Sequence, residues 1–227
     1  MTTISTENYL KKIYNHSQSF SENINTLKLA QELSVSNAAI SDMAKKLSRQ
    51  GLVNYEKYKG MELTDKGELI ALNVIRRHRL WELFLNKVLN LPWSEVHEQA
   101  EILEHHTSEN LIDRIDEYLG FPEFDPHGHP IPKKNGVLPE MQHFITLAEA
   151  VEGSFYRLMQ VDDGDKDLID YLSKVGFVLN TEFEVIHKLD YDKSFTIKFR
   201  HKTLSLSQQI SNSIYLKEIK KVREKNG

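Results

Sequence analysis

Four side chains within ten residues, from His97 to His106, have the types and spacing of metal ligands. If this stretch is helical, His97, Glu101, Glu104 and His105 follow the spacing i, i+4, i+7 and i+8, which places two carboxylates and two imidazoles along one stripe. Carboxylates at such spacing repel each other by roughly a few tenths of a kcal/mol, and a divalent cation would relieve that repulsion. The stretch therefore indicates a metal-binding face, with a solvated charged helix face as the simpler alternative.

A second pair of candidate ligands lies upstream, where His78 and Glu82 are one helical turn apart. The apolar stripe of the same segment consists of Leu80, Leu83, Phe84 and Val88. Two helices would then each offer an imidazole and a carboxylate, which is how helical bundles assemble divalent-metal sites.

The composition is that of an ordinary water-soluble protein. The chain has 227 residues, 40% of them hydrophobic and 27% charged, which allows one large domain or two to three small ones. It contains no cysteine, so disulfides, thiolate zinc sites and thiol nucleophiles are excluded, and any metal must bind through nitrogen and oxygen. We find no signal peptide and no membrane span, and we expect a cytoplasmic protein.

The net charge of −4 is unevenly distributed along the chain. Residues 1–80 contain 12 Lys and Arg against 8 Asp and Glu, a balance of +4, and the remainder contains 17 against 25, a balance of −8. This asymmetry suggests an N-terminal surface for a polyanion and a later surface for a cation.

The N-terminal third has the pattern of a winged helix-turn-helix. After a first helix over residues 4–17, residues 26–33 and 37–50 have the spacing of two short helices separated by a three-residue turn. Residues 52–56 and 60–63 then alternate like two strands of a hairpin, the wing. A plain helical hairpin with a polar outer face is the alternative.

The second short helix is predicted to read the major groove of DNA. Its outward residues divide into those facing base edges and those facing phosphates. The base-edge set is Ser36, Asn37, Ser41 and Asp42, with Ala38 and Ala39 close enough to touch thymine methyl groups; the phosphate set is Lys45, Lys46 and Arg49, with Lys57 and Lys59 on the wing.

Three further helices follow, over residues 64–91, 93–106 and 107–119. They carry more apolar side chains than one small domain needs, which suggests a dimer interface, with an intrachain core as the alternative. Residues 120–139 are rich in Pro and Gly and indicate a linker or a rigid extended loop. His127 and His129 in that loop are possible ligands, although histidines in such loops are more often structural or exposed.

The C-terminal part alternates as short strands around one amphipathic helix. Strands are predicted over residues 155–161, 182–189, 194–200, 203–206 and 214–219, with a helix over residues 166–175. This pattern favours a small, mostly antiparallel β-barrel. The acidic loop before the helix, residues 162–167, is either a solvated turn or a source of one oxygen ligand.

In four ordered motifs the chain resembles the iron- and manganese-dependent transcriptional repressors of the diphtheria toxin repressor type. The motifs are Thr6-Glu7-Asn8-Tyr9-Leu10-Lys11-Lys12-Ile13-Tyr14, Arg77-His78-Arg79-Leu80 with Glu82, Val96-His97-Glu98 leading to Glu101-Ile102-Leu103-Glu104-His105-His106, and Pro126-His127-Gly128-His129-Pro130-Ile131-Pro132. The resemblance implies a homodimer that binds an operator in double-stranded DNA and represses metal-uptake genes.

The resemblance also implies two metal sites. The main regulatory site corresponds to Asn8, Glu101, Glu104 and His105, and the ancillary site to His78, Glu82 and His97, to which the barrel adds a ligand for which Asp167 is the candidate. Glu101 stands where iron sensors commonly have cysteine, which favours Mn(II), with Fe(II) as the alternative. Lys11 stands where manganese sensors have a ligand glutamate, and Asn8 replaces Asp or Met, so we expect two separated sites rather than a coupled pair of ions.

The predicted fold is mainly α with a small β part. Its expected domains are a winged helix-turn-helix at residues 1–65, a helical dimerisation and metal-binding domain at 66–121, a Pro/Gly-rich linker at 122–145 and a FeoA-like small β-barrel at 146–220. A winged-helix regulator that senses a small molecule or a partner is the alternative function. An enzyme is not expected, because the stretch beginning His97-Glu98 has Glu101 where a zinc-protease helix needs histidine.

Overall fold

The computed structural model describes residues 3–19, 24–56, 60–140 and 142–220. The chain folds into two compact units, each assembled from several segments. The first unit comprises Met1–Trp81, Glu98–Glu123 and Ile131–Pro139, and the second comprises Glu82–His97, Phe124–Pro130 and Glu140–Gly227. Within the described residues, no helix combines the length and the apolarity needed to cross a membrane.

The first unit begins with the predicted winged helix-turn-helix. Its elements are α1 (Ile4–Ser19), α2 (Thr26–Glu32), α3 (Asn37–Arg49), β1 (Val53–Glu56) and β2 (Gly60–Leu63). Asn25 and Ser36 cap α2 and α3 by accepting hydrogen bonds from Lys28 N and Ala39 N, and each cap fixes where its helix begins. β1 and β2 pair antiparallel as the wing. The predicted wing residues Lys57 and Lys59 lie outside the described residues.

One apolar core joins α1 to α2 and α3. The buried side chains Leu10 and Ile13 of α1 belong to the same cluster as Leu29 of α2 and Ile40 and Leu47 of α3. Ile40, Ala44 and Leu47 recur at helical spacing and bury one face of α3. A displacement of α1 therefore acts directly on the core beneath α3.

Three longer helices follow the wing: α4 (Asp65–Lys87), α5 (Val96–His106) and α6 (Glu109–Tyr118). α4 ends before the predicted residue 91, where Asn90 has a positive φ of 56° and Leu91 N donates to Leu85 O. Ile112 and Ile115 bury one face of α6, while Leu111 and Tyr118 are exposed.

The second unit contains a six-stranded antiparallel sheet with the order β3-β8-β4-β5-β6-β7. Its elements are β3 (Ile145–Thr146), a 3-10 turn (Leu147–Glu149), β4 (Phe155–Val161), α7 (Lys166–Val175), β5 (Glu182–Lys188), β6 (Phe195–Phe199), β7 (Lys202–Leu206), α8 (Gln208–Asn212) and β8 (Ile214–Ile219). Tyr156, Phe177 and Phe195 are among the largest side chains in its core.

The mainly helical fold with a small β part is confirmed, including the bounds of β4, α7 and β8. Among the described strands, β3 and β7 form the two edges of the sheet, so the sheet is open and only barrel-like. The sequence prediction missed β3, the 3-10 turn and α8, whose two to five residues are too short to show a period. In the predicted linker, the 124–130 segment belongs to the second unit and the 131–139 segment to the first.

Candidate metal centres

A buried lysine lies among acidic side chains in the first unit. Lys11 Nζ on α1 lies 2.7 Å from Glu101 Oε1 and 2.8 Å from Glu104 Oε2, both on α5. His78 Nδ1 on α4 lies 2.6 Å from the same Glu104 oxygen and 3.4 Å from the ammonium. We call Lys11, His78, Glu101 and Glu104 the lysine cluster. Because a carboxylate oxygen only accepts hydrogen bonds, His78 Nδ1 carries a proton and donates a hydrogen bond to Glu104.

The other side of Glu104 has the properties of a ligand site. Glu104 Oε1 lies 3.1 Å from His105 Nε2, and among the described residues neither buried atom has a hydrogen-bond partner. His105 Nδ1 donates to Glu7 Oε2 at 2.7 Å, so in the neutral imidazole Nε2 holds the lone pair. Two ligands at right angles around an octahedral cation are about 3 Å apart. Glu104 Oε1 and His105 Nε2 therefore fit one divalent ion.

Arg77 holds this part of α5 in position. Its Nε donates to the backbone carbonyl of Glu104 at 2.6 Å, and its two terminal nitrogens lie 3.3 Å from Glu7 and 3.0 Å from Glu109. The guanidinium thus connects α4 to α1, α5 and α6 through a nearly buried group. Its planar fork suits this role, since Lys offers only a point charge.

The second unit contains a separate group of ligand atoms, from Glu82, Asp125, His127 and Asp163, all within 4.8 Å of one another. We call these four residues the loop cluster. The side chains of Glu82 and Asp125 are fully buried, and that of Asp163 is 24% exposed. Three carboxylates in so little space need positive charge, either from protonated imidazoles or from a divalent cation.

The protonation of His127 follows from its surroundings. His127 Nε2 lies 3.2 Å from the Trp93 carbonyl oxygen, and a carbonyl only accepts, so Nε2 carries a proton. In the neutral ring Nδ1 then holds a lone pair, 3.8 Å from Glu82 Oε2, and it is buried without a hydrogen-bond partner in the described part of the chain. A backbone carbonyl that fixes one ring nitrogen while the other faces carboxylates is the usual arrangement of a metal-binding histidine.

The loop that carries these ligands is shaped by Asp125 and Gly128. Asp125 Oδ1 accepts from His127 N at 2.7 Å and from His129 N at 2.9 Å, which closes a tight turn. Gly128 has a φ of +89°, and a Cβ there would lie 2.1 Å from the Met159 carbonyl oxygen on β4. Val161 N also donates to His127 O at 3.0 Å. The turn is thus held against the end of β4, just before Asp163.

Two more histidines border the loop cluster. His97 Nδ1 lies 3.0 Å from Glu82 Oε1, and His129 Nδ1 lies 3.4 Å from Asp163 Oδ2. Burial lowers the pKa of His127, but the combined effect of Glu82, Asp125 and Asp163 is larger and opposite, so the pKa is raised overall. Burial raises the pKa of Asp163, yet the imidazoles of His129, His127 and His97 outweigh burial and the neighbouring Glu82, and the pKa is lowered. The cluster favours positive charge at its centre.

The structure distributes the predicted ligands between the two units. Glu101, Glu104, His105 and His78 lie in the first unit, and Glu82 and His97 in the second. Asn8 is half-buried on α1, and its neighbour Glu7 is the residue that contacts His105. Asp167 is exposed in the first turn of α7, where its backbone N donates to Asp165, and Asp163 is the acid that joins the loop cluster.

Glu7, Asp125 and Asp163 are not among the ligands predicted from the sequence, and the loop pattern indicates His127 and His129 only as possible ligands that are more often structural or exposed. One signal was available: Asp125, His127 and His129 alternate within a stretch rich in Pro and Gly. That alternation alone does not show that the loop folds back onto β4.

The predicted DNA-reading surface on α3 is accessible. Its outward residues Asn37, Ala39, Asp42, Lys45, Lys46 and Arg49 are exposed, Ser36 caps the helix, and Ser41 is half-buried. Ser41 Oγ donates to Asn37 O, and Lys45 lies 3.3 Å from Asp42. These local contacts are exposed, so they compete weakly with an external ligand.

A winged helix-turn-helix that shares a unit with an acid- and imidazole-rich centre is the architecture of a metal-responsive DNA-binding regulator, and three sequence families match the chain. Residues 1–61 match the N-terminal DNA-binding domain of the iron-dependent repressors, and residues 64–133 match their metal-binding and dimerisation domain. Residues 145–218 match the FeoA domain.

Individual relatives agree with these matches. The iron-dependent repressor IdeR of Mycobacterium tuberculosis strain H37Rv is 35% identical over 193 residues, which cover 79% of this chain and 83% of IdeR. The HTH-type transcriptional regulator MntR of Lysinibacillus sphaericus is 37% identical over 98 residues, 43% of this chain and 70% of MntR. A solved structure of a manganese-dependent transcriptional repressor in complex with manganese has a TM-score of 0.86 at 33% identity, and covers 94% of this chain and 100% of that one. The chain belongs to the family of iron- and manganese-dependent transcriptional repressors.

Proposed function

We propose that this protein is a homodimeric repressor that binds double-stranded operator DNA when Mn(II) occupies its metal sites, and that it controls metal-uptake genes. Fe(II) is the alternative corepressor. The protein acts in the cytoplasm and has no catalytic role. The observation that carries the proposal is the loop cluster, in which the buried imidazole of His127 and three carboxylates bring four potential ligand atoms within 4.8 Å of one another.

The chemistry of the donors supports Mn(II). Both centres offer only carboxylate oxygens and imidazole nitrogens, and the chain has no cysteine to attract softer ions. The relatives named above include both iron and manganese regulators, so the sequence family leaves the metal open. The solved manganese-bound repressor favours manganese for this chain as well.

The first unit offers a direct route from metal to DNA. One side of α1 presents Glu7 and Lys11 to α5, and the other side buries Leu10 and Ile13 in the core beneath α3. Glu104 and His105 would hold the metal ion, which would supply two positive charges beside them. His105 donates a hydrogen bond to Glu7 on α1, and α1 packs against the same apolar core as α3. The position of α1 therefore sets the position of α3. A shift of the conformational equilibrium from 1:99 to 99:1 would need a differential affinity of about 5.5 kcal/mol.

Exposed apolar side chains of the first unit support dimer formation. Ile102 on α5, Leu111 and Tyr118 on α6, and Phe121 just beyond are between 48% and 69% exposed. Large apolar groups concentrated on neighbouring helices are typical of protein interfaces. In a two-fold dimer the two α3 helices would reach half-sites about one DNA turn apart, or a multiple of it.

The decisive test is fluorescence anisotropy with a promoter fragment from a manganese-uptake gene, at fixed salt, in the presence of chelator, Mn(II) or anaerobic Fe(II). We expect tight binding only with metal. The variants His127→Ala and His105→Ala should fail to bind tightly even when metal is present. Lys45→Ala should weaken DNA binding without changing the metal titration. Equal binding with chelator and with metal would refute the metal switch and favour a regulator that senses a small molecule or a partner.

A further inference from the structure

The structure assigns to the first unit a binding site for a small organic monocarboxylate, in a cavity of about 530 Å³ beside the buried guanidinium of Arg76. The cavity lies between α4, α6 and the 131–139 segment, all of which belong to the first unit. The residues that line it include no member of the lysine cluster or of the loop cluster. The site is therefore distinct from both candidate metal centres, and the inference goes beyond the proposed function.

The unpaired hydrogen-bond donors of Arg76 indicate that this cavity takes a ligand. The Arg76 side chain is 3% exposed, and its Nη2 lies 3.0 Å from Asp113 Oδ1 and 2.7 Å from Asp116 Oδ2. Nε and Nη1 are buried, and neither has a hydrogen-bond partner among the described residues. Buried donors on a charged group are costly to leave unsatisfied. Because Arg76 lines the cavity, a molecule bound there can supply the missing acceptors.

The charge of the lining selects the kind of acceptor. Guanidinium donors suit the oxygens of carboxylates and phosphates. The charged residues of the lining balance each other, with Arg76, Lys133 and Lys134 against Asp113, Asp116 and Glu123. The hydrogen bond from Lys134 holds the pKa of Asp113 below its usual value against the opposing effect of burial, so Asp113 stays charged at neutral pH. A neutral lining tolerates one added negative charge but attracts a phosphate dianion or a polycarboxylate poorly.

The remaining lining favours a ligand with an apolar body. It consists of Phe121, Ile131 and the three prolines Pro122, Pro132 and Pro139. Proline has a fixed φ, so this wall loses little conformational freedom when a ligand binds. Phe121 has a φ of +55°, which bulky residues rarely adopt and which is found more often at ligand-binding sites. Phe121 also belongs to the apolar surface proposed for dimer formation, so the ligand and the second copy would contact the same residue.

The test is isothermal titration calorimetry of the full chain with sodium benzoate, in chelator and with Mn(II). We expect one benzoate per chain, with a dissociation constant of about 1 mM or below in both conditions. Benzyl alcohol keeps the ring but lacks the carboxylate, and it should bind at least about tenfold more weakly. Arg76→Lys keeps the positive charge beside Asp113 and Asp116 but loses Nε and the planar fork, and it should weaken benzoate binding about tenfold.

A second variant tests the site without changing a buried residue. Lys133→Glu reverses an exposed charge in the lining and should weaken benzoate binding about threefold or more. Lys198→Glu is its matched control, because it makes the same change at an exposed position on β6 in the second unit, and it should bind benzoate like wild type. If Arg76→Lys does not fold, as judged by circular dichroism, the comparison of Lys133→Glu with Lys198→Glu decides.

Four results would overturn the inference. They are no binding of benzoate by wild type up to about 10 mM, equal affinity for benzyl alcohol, wild-type affinity in folded Arg76→Lys, and equal affinities in Lys133→Glu and Lys198→Glu. The first would mean that water alone satisfies Arg76. Binding that requires Mn(II) would place benzoate on the metal and also refute this site. The proposed function fails on a different measurement, namely metal-independent DNA binding.

Discussion

The Trp93 ring stacks on His127 with 5.2 Å between ring centroids, while the Trp93 carbonyl accepts a hydrogen bond from Nε2 of the same imidazole. Trp93 also donates from its indole nitrogen to Pro126 O at 2.8 Å, so one residue fixes both the ring and the loop that carries it. Such supporting contacts set the orientation and basicity of a metal-binding histidine. Trp93 is therefore a positioning residue for the loop cluster.

We predict that Trp93→Phe weakens Mn(II) binding at the loop cluster about tenfold, a typical loss when a supporting contact of a ligand is removed. The phenyl ring preserves much of the apolar surface but cannot donate to Pro126. Isothermal titration calorimetry measures the affinity. Trp81→Phe is the matched control, because Trp81 donates to Thr107 in the first unit at 2.7 Å. Equal loss of affinity in both variants would contradict a specific role for Trp93.

We predict different effects on Mn(II) affinity when the two acidic candidates of the second unit, Asp163 and Asp167, are neutralised. Asp163→Asn should lower Mn(II) affinity by at least about tenfold, because it removes a carboxylate from the loop cluster. Asp167→Asn should leave the affinity unchanged, because Asp167 is exposed on α7. Calorimetry on the two variants compares them directly. A loss confined to Asp167→Asn would mean that the sequence candidate is the ligand.

Asp163 and Asp125 also show which parts of the candidate site cannot be predicted from the sequence. The stripe from His97 to His105 and the pair His78 and Glu82 follow from helical periodicity, which is local and can be read from spacing. Asp163 and Asp125 belong to different loops, and only the antiparallel sheet and the turn at Gly128 bring them together. The distance between such loops depends on strand register and packing, which single-chain patterns do not encode.

The first unit gives a second example of this difference. Lys11 is predicted from the sequence not to coordinate a metal, since it is a cation. Its actual role as a partner of Glu101 and Glu104 depends on how α1 packs against α5. By contrast, the winged helix-turn-helix was predicted closely because its caps, turn and apolar spacing are all local features.

We predict that Gly128→Ala destabilises the protein by about 3 kcal/mol, since the new Cβ would meet the Met159 carbonyl at a position that also needs a positive φ. Gly153→Ala separates these causes, because Gly153 has a φ of +76° with open space around it. Its cost should be about 1 kcal/mol, from the backbone alone. Urea denaturation of the metal-free proteins gives both values. Equal costs would show that β4 moves away readily and does not restrain the loop.

We predict that Lys11→Met destabilises the metal-free protein by roughly 3 kcal/mol, because it leaves the buried Glu104 without its ammonium partner. The methionine side chain retains most of the apolar stem, so the loss reports mainly on charge. Mn(II) should then stabilise Lys11→Met more than wild type, since a metal ion can supply the missing positive charge. Lys12→Met, at an exposed position on the same helix, should change the free energy of unfolding by no more than about 0.5 kcal/mol. Thermal and urea denaturation of the three proteins, with chelator and with Mn(II), measure these free energies. An equal effect of Mn(II) on Lys11→Met and wild type would contradict the role of the ammonium as the positive partner of Glu104.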